Sequence, residues 1–339
     1  MILVPNKTNT YPELAQLASD KIEIFNRYHG EYATTNKKNI IYSCLGEKLA
    51  DDEIVKLLES FNDCRVAVVT TRDYPSWIEQ KYNCKFFKIP TAYAYYTKEM
   101  FWCDINFDRT FDKLILSLNN RAQWNRQALY QFILNFNLQK HFYFSYLMED
   151  RFHVGDRRKL YDEQNATIGP IWYNANLDLE AAYQQLPYRI DDFVHNDWGP
   201  GSIQFYETSF CSFVNETYID ENYNVFFTEK TMKPLAYGHP MLLFSSAGAL
   251  QELKNLGFET YSSIFDESYD TIESPQIRFE YLLKLVLELC KLSSDEIKIM
   301  YSKIKPVLQH NYNQFWNVWH SQYLKDVEQV KLQINEFLS

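Results

Sequence analysis

Apolar residues recur along this chain in two patterns, short dense runs and longer stretches of helical spacing. The short runs are residues 40–44 (IIYSC), 65–70 (RVAVVT), 85–89, 113–118 (KLILSL), 142–147 and 241–244 (MLLF). Near-continuous apolar runs of this length predict strands buried on both faces of a parallel sheet. Residues 203–214, rich in aromatic and β-branched side chains, predict one further buried strand. Helical spacing predicts helices over 51–61, 74–82, 124–134, 178–186, 249–256, 278–292, from Ser293 toward 309, and over 311–338. The last carries Phe315, Trp316, Trp319, Tyr323, Leu324 and Val327 on one apolar face. Ser293-Ser294-Asp295-Glu296 reads as a capping box. Strands alternating with helices predict an α/β fold.

At 339 residues the chain exceeds one ordinary core, so two domains are expected. The β-α-β-α-β alternation from residue 40 predicts a small doubly wound first domain over 1–108. The run at 113–118 opens a second domain over 109–312, and 313–339 forms a terminal helix. Residues 149–199 are irregular and polar and read as a long connection. Residues 91–97 (TAYAYYT) with Phe101 and Trp102 read as interdomain core or as the lining of an acceptor cleft.

Charge narrows the classes. The chain holds 34 basic and 44 acidic residues, net −10, which argues against a free-standing nucleic-acid binder. Six scattered cysteines lack metal-type spacing and read as reduced core residues of a cytoplasmic protein. No run approaches a membrane span, and residues 1–10 lack the long apolar segment of a signal peptide. No G-x-G-x-x-G is present, so no dinucleotide cofactor is expected, and no paired acidic motif marks a metal.

The candidate chemistry lies at Thr228-Glu229-Lys230. Thr228 can cap the helix that follows, which Gly238 and Pro240 stop. Helix N-termini favour phosphate, a lysine there adds mobile charge, and a glutamate can accept both hydrogen bonds of a ribose diol. The same turn also reads as an ordinary capped surface helix. A second cluster follows the 113–118 strand: Asn119, Arg121 and Arg126, where arginine can pair bidentately with phosphate.

These two blocks together resemble the donor-site signature of the α1,3-fucosyltransferases. Phe227-Thr228-Glu229-Lys230, a helix, then Gly238-His239-Pro240-Met241 is similar to their aromatic-Thr-Glu-Lys, helix, small residue, Pro and hydrophobic strand. Cys211 to Glu216 (CSFVNE) is similar to their buried strand ending in Glu-Asn, with the order changed. Residues 116–120 (LSLNN) with Arg126 are similar to their strand-Ser-Asn segment and downstream arginine. The resemblance spans roughly residues 112–270.

The resemblance implies a GT-B-like glycosyltransferase: two Rossmann-like domains, with C-terminal helices packing back across the domains. It implies a nucleotide-diphosphate sugar such as GDP-fucose as donor, with no metal and no other cofactor. Glu229 would bind the ribose, Lys230 and Arg126 the diphosphate, with Thr228, Asn119, Arg121 and Glu216 around them. An inverting displacement needs a carboxylate base from the first domain, for which Glu47 and Asp73 stand after expected strands. The acceptor is a glycan or another hydroxyl. Hydroxylated bases in DNA are one alternative; a non-catalytic nucleotide-sugar-binding module and a structural scaffold are the others.

Overall fold

In the computed structural model of the chain, the residues described are 14, 16–26, 37–44, 51–61, 63–71, 73–89, 104–148, 158, 159, 162, 178–186, 188, 203–219 and 225–339. The chain forms two compact units, Met1–Lys98 with Trp316–Ser339, and Glu99–Phe315.

The first unit is a four-stranded, wholly parallel sheet in chain order: β1 (Ile22–Asn26), β2 (Asn39–Ser43), β3 (Arg65–Thr70) and β4 (Cys84–Lys88). Its strands alternate two buried sets, as a doubly covered sheet requires. Ile40, Tyr42, Val66 and Val68 pack with Ile54, Leu57 and Leu58 of helix α1 (Asp51–Ser60) and Ile78 of α2 (Ser76–Lys81). Each such side chain, fully buried, contributes about 1.5–3 kcal/mol. Strand β1 was absent from the sequence pattern. Its five residues, IEIFN, interleave polar and apolar positions and form an edge.

The second unit holds β5 (Lys113–Asn119), β6 (Phe142–Tyr146), β7 (Ser209–Asn215) and β8 (Met241–Phe244), all parallel in the order β6-β5-β7-β8. Helices α3 (Trp124–Asn135), α4 (Leu179–Gln184), α5 (Ile203–Glu207), α6 (Glu229–Ala236), α7 (Ala249–Asn255), α8 (Pro275–Leu289) and α9 (Ser294–Asn313) complete it. The single strand expected over 203–214 is corrected here. Residues 203–207 wind into α5, and the strand starts at Ser209, whose hydroxyl donates to the Phe205 carbonyl at 2.5 Å. That bond closes the helix and turns the chain into β7, an inner strand of the sheet. Residues 149–157, 91–97, 101, 102 and Glu47 lie outside the described residues.

The expected capping box is present: Ser293 and Glu296 exchange side-chain and backbone bonds at the start of α9. After α9 the chain passes through a π-helical turn, Gln314–Trp319, into α10 (His320–Leu338). That last helix belongs to the first unit and packs on β3 and β4. Asn39 and Arg65 donate to the carbonyls of Leu338 and Phe337 at 3.1 and 2.9 Å, satisfying the open end of α10. Its buried stripe is Tyr323, Val327, Val330, Ile334 and Leu338. Leu324, expected on that face, is exposed: it follows Tyr323 directly, a step of about 100° that carries it off the i, i+4, i+7 stripe of α10. The α/β expectation, with two Rossmann-like units and a C-terminal helix returning to the first, is borne out.

Cys44, Cys64, Cys84 and Cys211 are buried free thiols and Cys290 is a partly buried one. Among the described residues no helix is long and apolar enough to cross a membrane.

Candidate functional site

Strand order reverses between β5 and β7: β6 follows β5 on one side, and β8 follows β7 on the other. In open parallel sheets such a switch point opens a crevice at the carboxyl ends of the strands. Both sequence-predicted clusters leave the sheet there, one from β5 into α3 and the other from β7 into α6.

The α6 turn is built as its sequence dictates. Thr228 has extended backbone angles, and its Oγ1 accepts from the Lys230 N–H at 3.3 Å. Glu229 and Lys230 occupy the first turn, with side chains 13% and 25% exposed. Lys230 Nζ donates to Glu229 Oε1 at 2.7 Å, and lies 3.3 Å from Thr228 Oγ1 and 3.5 Å from Thr217 Oγ1. Burial pushes the Glu229 carboxyl upward, but the charge and hydrogen bond of Lys230, with the charge of Lys233, outweigh it and hold the group below its ordinary value.

Arg126, in the first turn of α3, is 1% exposed. One guanidinium nitrogen, Nη1, donates to the Arg121 carbonyl at 3.2 Å, while Nε and Nη2 have no hydrogen-bond partner among the described residues. Burial draws its pKa down to about 10 against the opposing pull of Glu229, Tyr146 and Glu216. Buried arginine donors are almost always satisfied, since an unmet one costs its full desolvation. A buried guanidinium with two open nitrogens, beside the Glu229 turn, is a ready partner for an anion.

Asn119 and Glu216 stand behind this surface. Asn119 is 3% exposed, and its amide joins a chain of polar side chains across the sheet ends. Asn125 Nδ2 donates to Asn215 Oδ1 (3.2 Å), Asn215 Nδ2 to Asn119 Oδ1 (3.1 Å), and Asn119 Nδ2 to Ser117 Oγ (3.1 Å). Glu216 is 0% exposed and is held by the backbone and hydroxyls of the α6 turn. Arg121 contributes its carbonyl to Arg126. Asp73 lies after β3 in the first unit, 73% exposed and paired with Lys88 at 2.6 Å.

Sequence reasoning missed two contributors. Lys233, 8% exposed, lies one helical turn after Glu229 and adds a second positive charge to it. Thr231, three positions after the cap, places its hydroxyl on Glu216 at 2.5 Å. The signals were the i, i+4 Glu-Lys spacing and the second threonine of T-E-K-T.

No protein-family model matches the chain, and no curated protein matches it. Solved structures similar to it include an alpha,alpha-trehalose-phosphate synthase (UDP-forming) from Burkholderia vietnamiensis, at 12% identity and TM-score 0.41, over 87% of this chain and 68% of that one. A trehalose-6-phosphate synthase matches at 12% identity and TM-score 0.42, over 93% of this chain and 74% of that one. The alpha,alpha-trehalose 6-phosphate synthase from Burkholderia multivorans matches at 12% identity and TM-score 0.41, over 90% and 68%. At these values the superpositions assign no residue a role.

Proposed function

We propose that this protein is a GT-B-type glycosyltransferase that moves a sugar from a nucleotide-diphosphate donor to an acceptor hydroxyl, with inversion and without a metal. The observation that carries the proposal is the pair of open nitrogens on buried Arg126 beside the Glu229-Lys230 turn, at the switch point of a parallel sheet.

A diphosphate arriving there would meet Arg126 Nε and Nη2 and Lys230 Nζ, both donors of charged hydrogen bonds. Lys230 would exchange its bond to Glu229 for one to phosphate, which frees the Glu229 carboxylate to accept from a ribose diol. Fixed positive charge is what the departing nucleoside diphosphate requires, because negative charge gathers on its β-phosphate as the glycosidic bond breaks. The acceptor's proton would pass to a carboxylate, with Glu47 and Asp73 as the two candidates. The motif resemblance makes GDP-fucose the first donor to try.

The test is a thermal-shift panel of GDP, UDP, CDP and dTDP with their common sugars, on wild type and Lys230→Ala. Ligand that binds only the folded state raises the melting temperature by mass action. A shift with one nucleotide, lost in the variant, supports the proposal and names the base. No shift with any of them rejects it in favour of a scaffold role.

A further inference from the structure

Glu216 is the side chain most tightly bound to the α6 turn, and nothing of it is open to a ligand. It follows the last residue of β7 and is 0% exposed. Oε1 accepts from the Thr228 N–H at 2.9 Å and from Thr231 Oγ1 at 2.5 Å. Oε2 accepts from Thr228 Oγ1 at 2.6 Å and from the Thr217 N–H at 3.2 Å. Three of these four donors belong to the start of α6. Burying a carboxylate is costly unless its oxygens are met, and here each oxygen meets two donors.

The consequence lies in what the threonines can still do. Thr228 Oγ1 spends its hydrogen on Glu216, so its lone pairs are left for the Lys230 N–H and for Lys230 Nζ. The Thr231 hydroxyl is likewise spent on Glu216. A single path of hydrogen bonds thus runs from the end of β7 through Glu216 and Thr228 to both the backbone and the side chain of Lys230. Thr217, next to Glu216, touches the same ammonium at 3.5 Å. An ordinary N-cap fixes a helix end by one side chain. Here a second, buried group fixes the cap itself and ties it to the carboxyl end of β7.

We infer that Glu216 is a positioning residue: it never touches the donor, and it sets where Glu229 and Lys230 stand so that ribose and diphosphate are gripped together. The inference rests on the nucleotide-diphosphate reading of the site. Glu216→Gln keeps the shape but replaces one acceptor oxygen by an NH2 group; whichever way the amide turns, one backbone N–H is left unmet and the bond to a threonine hydroxyl is reversed.

The experiment is calorimetric titration of GDP, UDP, CDP and dTDP, with the 2′-deoxy forms of the first three, into wild type and Glu216→Gln, each well below its melting temperature. For the nucleotide that wild type binds, the variant is expected to bind roughly 10- to 100-fold more weakly, the loss of one charged hydrogen bond. Its preference for ribose over 2′-deoxyribose should shrink in parallel, because Glu229 moves with the turn. A folded Glu216→Gln with wild-type affinity and ribose preference, even with a lowered melting temperature, overturns the inference and leaves the donor reading standing. Wild type that binds none of the nucleotides overturns both. If Glu216→Gln does not fold, Thr231→Val replaces it. Weakened binding restored by Thr231→Ser then supports the inference, and unchanged binding in Thr231→Val overturns it.

Discussion

Lys230 Nζ and Glu229 Oε1 stand 2.7 Å apart, neighbours in sequence that neutralise each other at the mouth of α6. Neither is open to the pairing that a surface ion pair dissipates into water, since both are largely buried. A diphosphate competes with Glu229 for this ammonium, so removing the lysine has two effects. It deletes a donor and leaves a carboxylate facing the phosphates. Lys230→Ala is expected to weaken nucleoside-diphosphate binding by about 1.5–3 kcal/mol or more. Titration calorimetry reads this directly, and unchanged affinity removes Lys230 from the site.

Arg126 yields a prediction of opposite signs. Its two open nitrogens cost the ligand-free protein the desolvation of charged donors, which the Arg121 carbonyl and the charges of Glu229 and Glu216 offset only in part. Arg126→Met fills much of the same volume with an apolar side chain. The variant should be more stable than wild type by about 1–3 kcal/mol in chemical denaturation without ligand, the cost of the unmet buried donors that it removes. It should also lose the thermal shift that nucleotide gives. A destabilised variant with intact binding would place Arg126 among purely structural residues.

Glu229→Gln separates ribose from phosphate recognition. The amide is uncharged and retains one acceptor oxygen, so it loses the two-oxygen, charged grip that a carboxylate has on a diol. Affinity for ribonucleotides is expected to fall by roughly tenfold or more, with 2′-deoxynucleotides nearly unaffected. Equal losses for both would assign the glutamate to holding Lys230 alone.

Much of the fold was legible because its signals are local. Val66, Val68 and Val69 are buried apolar positions in one run, and the Thr228 cap is a local hydrogen bond. Strand β1 was missed because Glu23 and Asn26 break its apolar pattern, and it is held by pairing with β2. The α5 helix was read as strand because Ile203, Phe205 and Tyr206 are β-formers whose state is decided by tertiary packing. In the site, composition identified the charged residues but not their depth. That Arg126 is sealed while Lys230 is a quarter exposed depends on tertiary packing, a non-local property. The same holds for Glu216, whose partners Thr228 and Thr231 arrive from the far side of a loop.

His239 predicts the acid limit of stability. It is fully buried, and the Ser209 carbonyl 2.9 Å from Nε2 can only accept, so Nε2 carries the hydrogen and Nδ1 receives the Ser212 hydroxyl at 2.9 Å. Burial, then the charge of Arg109, depress its pKa to about 3 from an ordinary 6.5. Above the ordinary value both states are neutral and His239 contributes no pH dependence. Below it the unfolded chain binds a proton that the folded chain refuses. Stability therefore falls as pH drops, by about 1.4 kcal/mol per unit at full effect, until the folded value is reached. Denaturation curves at pH 7, 5 and 4 measure the slope, and His239→Asn should flatten this contribution. An unaltered slope in a folded variant would assign acid sensitivity to other groups.

Two glycines separate backbone strain from steric clash. Gly238 and Gly248 both have positive φ, +53° and +80°, a region that costs other residues roughly 1–2 kcal/mol. At Gly248 an added Cβ meets nothing within 4 Å, so Gly248→Ala should lose only that conformational cost. At Gly238 the Cβ would fall 2.5 Å from the Phe107 ring, beside the carbonyls of Tyr237 and Gly238 that Arg109 holds at 2.7 and 3.1 Å. Gly238→Ala must push the ring aside and disturb that arginine, which satisfies the carboxyl end of α6. It should cost at least about 1–3 kcal/mol beyond Gly248→Ala, as overpacking typically does. Urea denaturation of the two variants side by side decides it. Equal losses would mean that Phe107 yields freely and that the close packing against Gly238 carries no weight in holding α6.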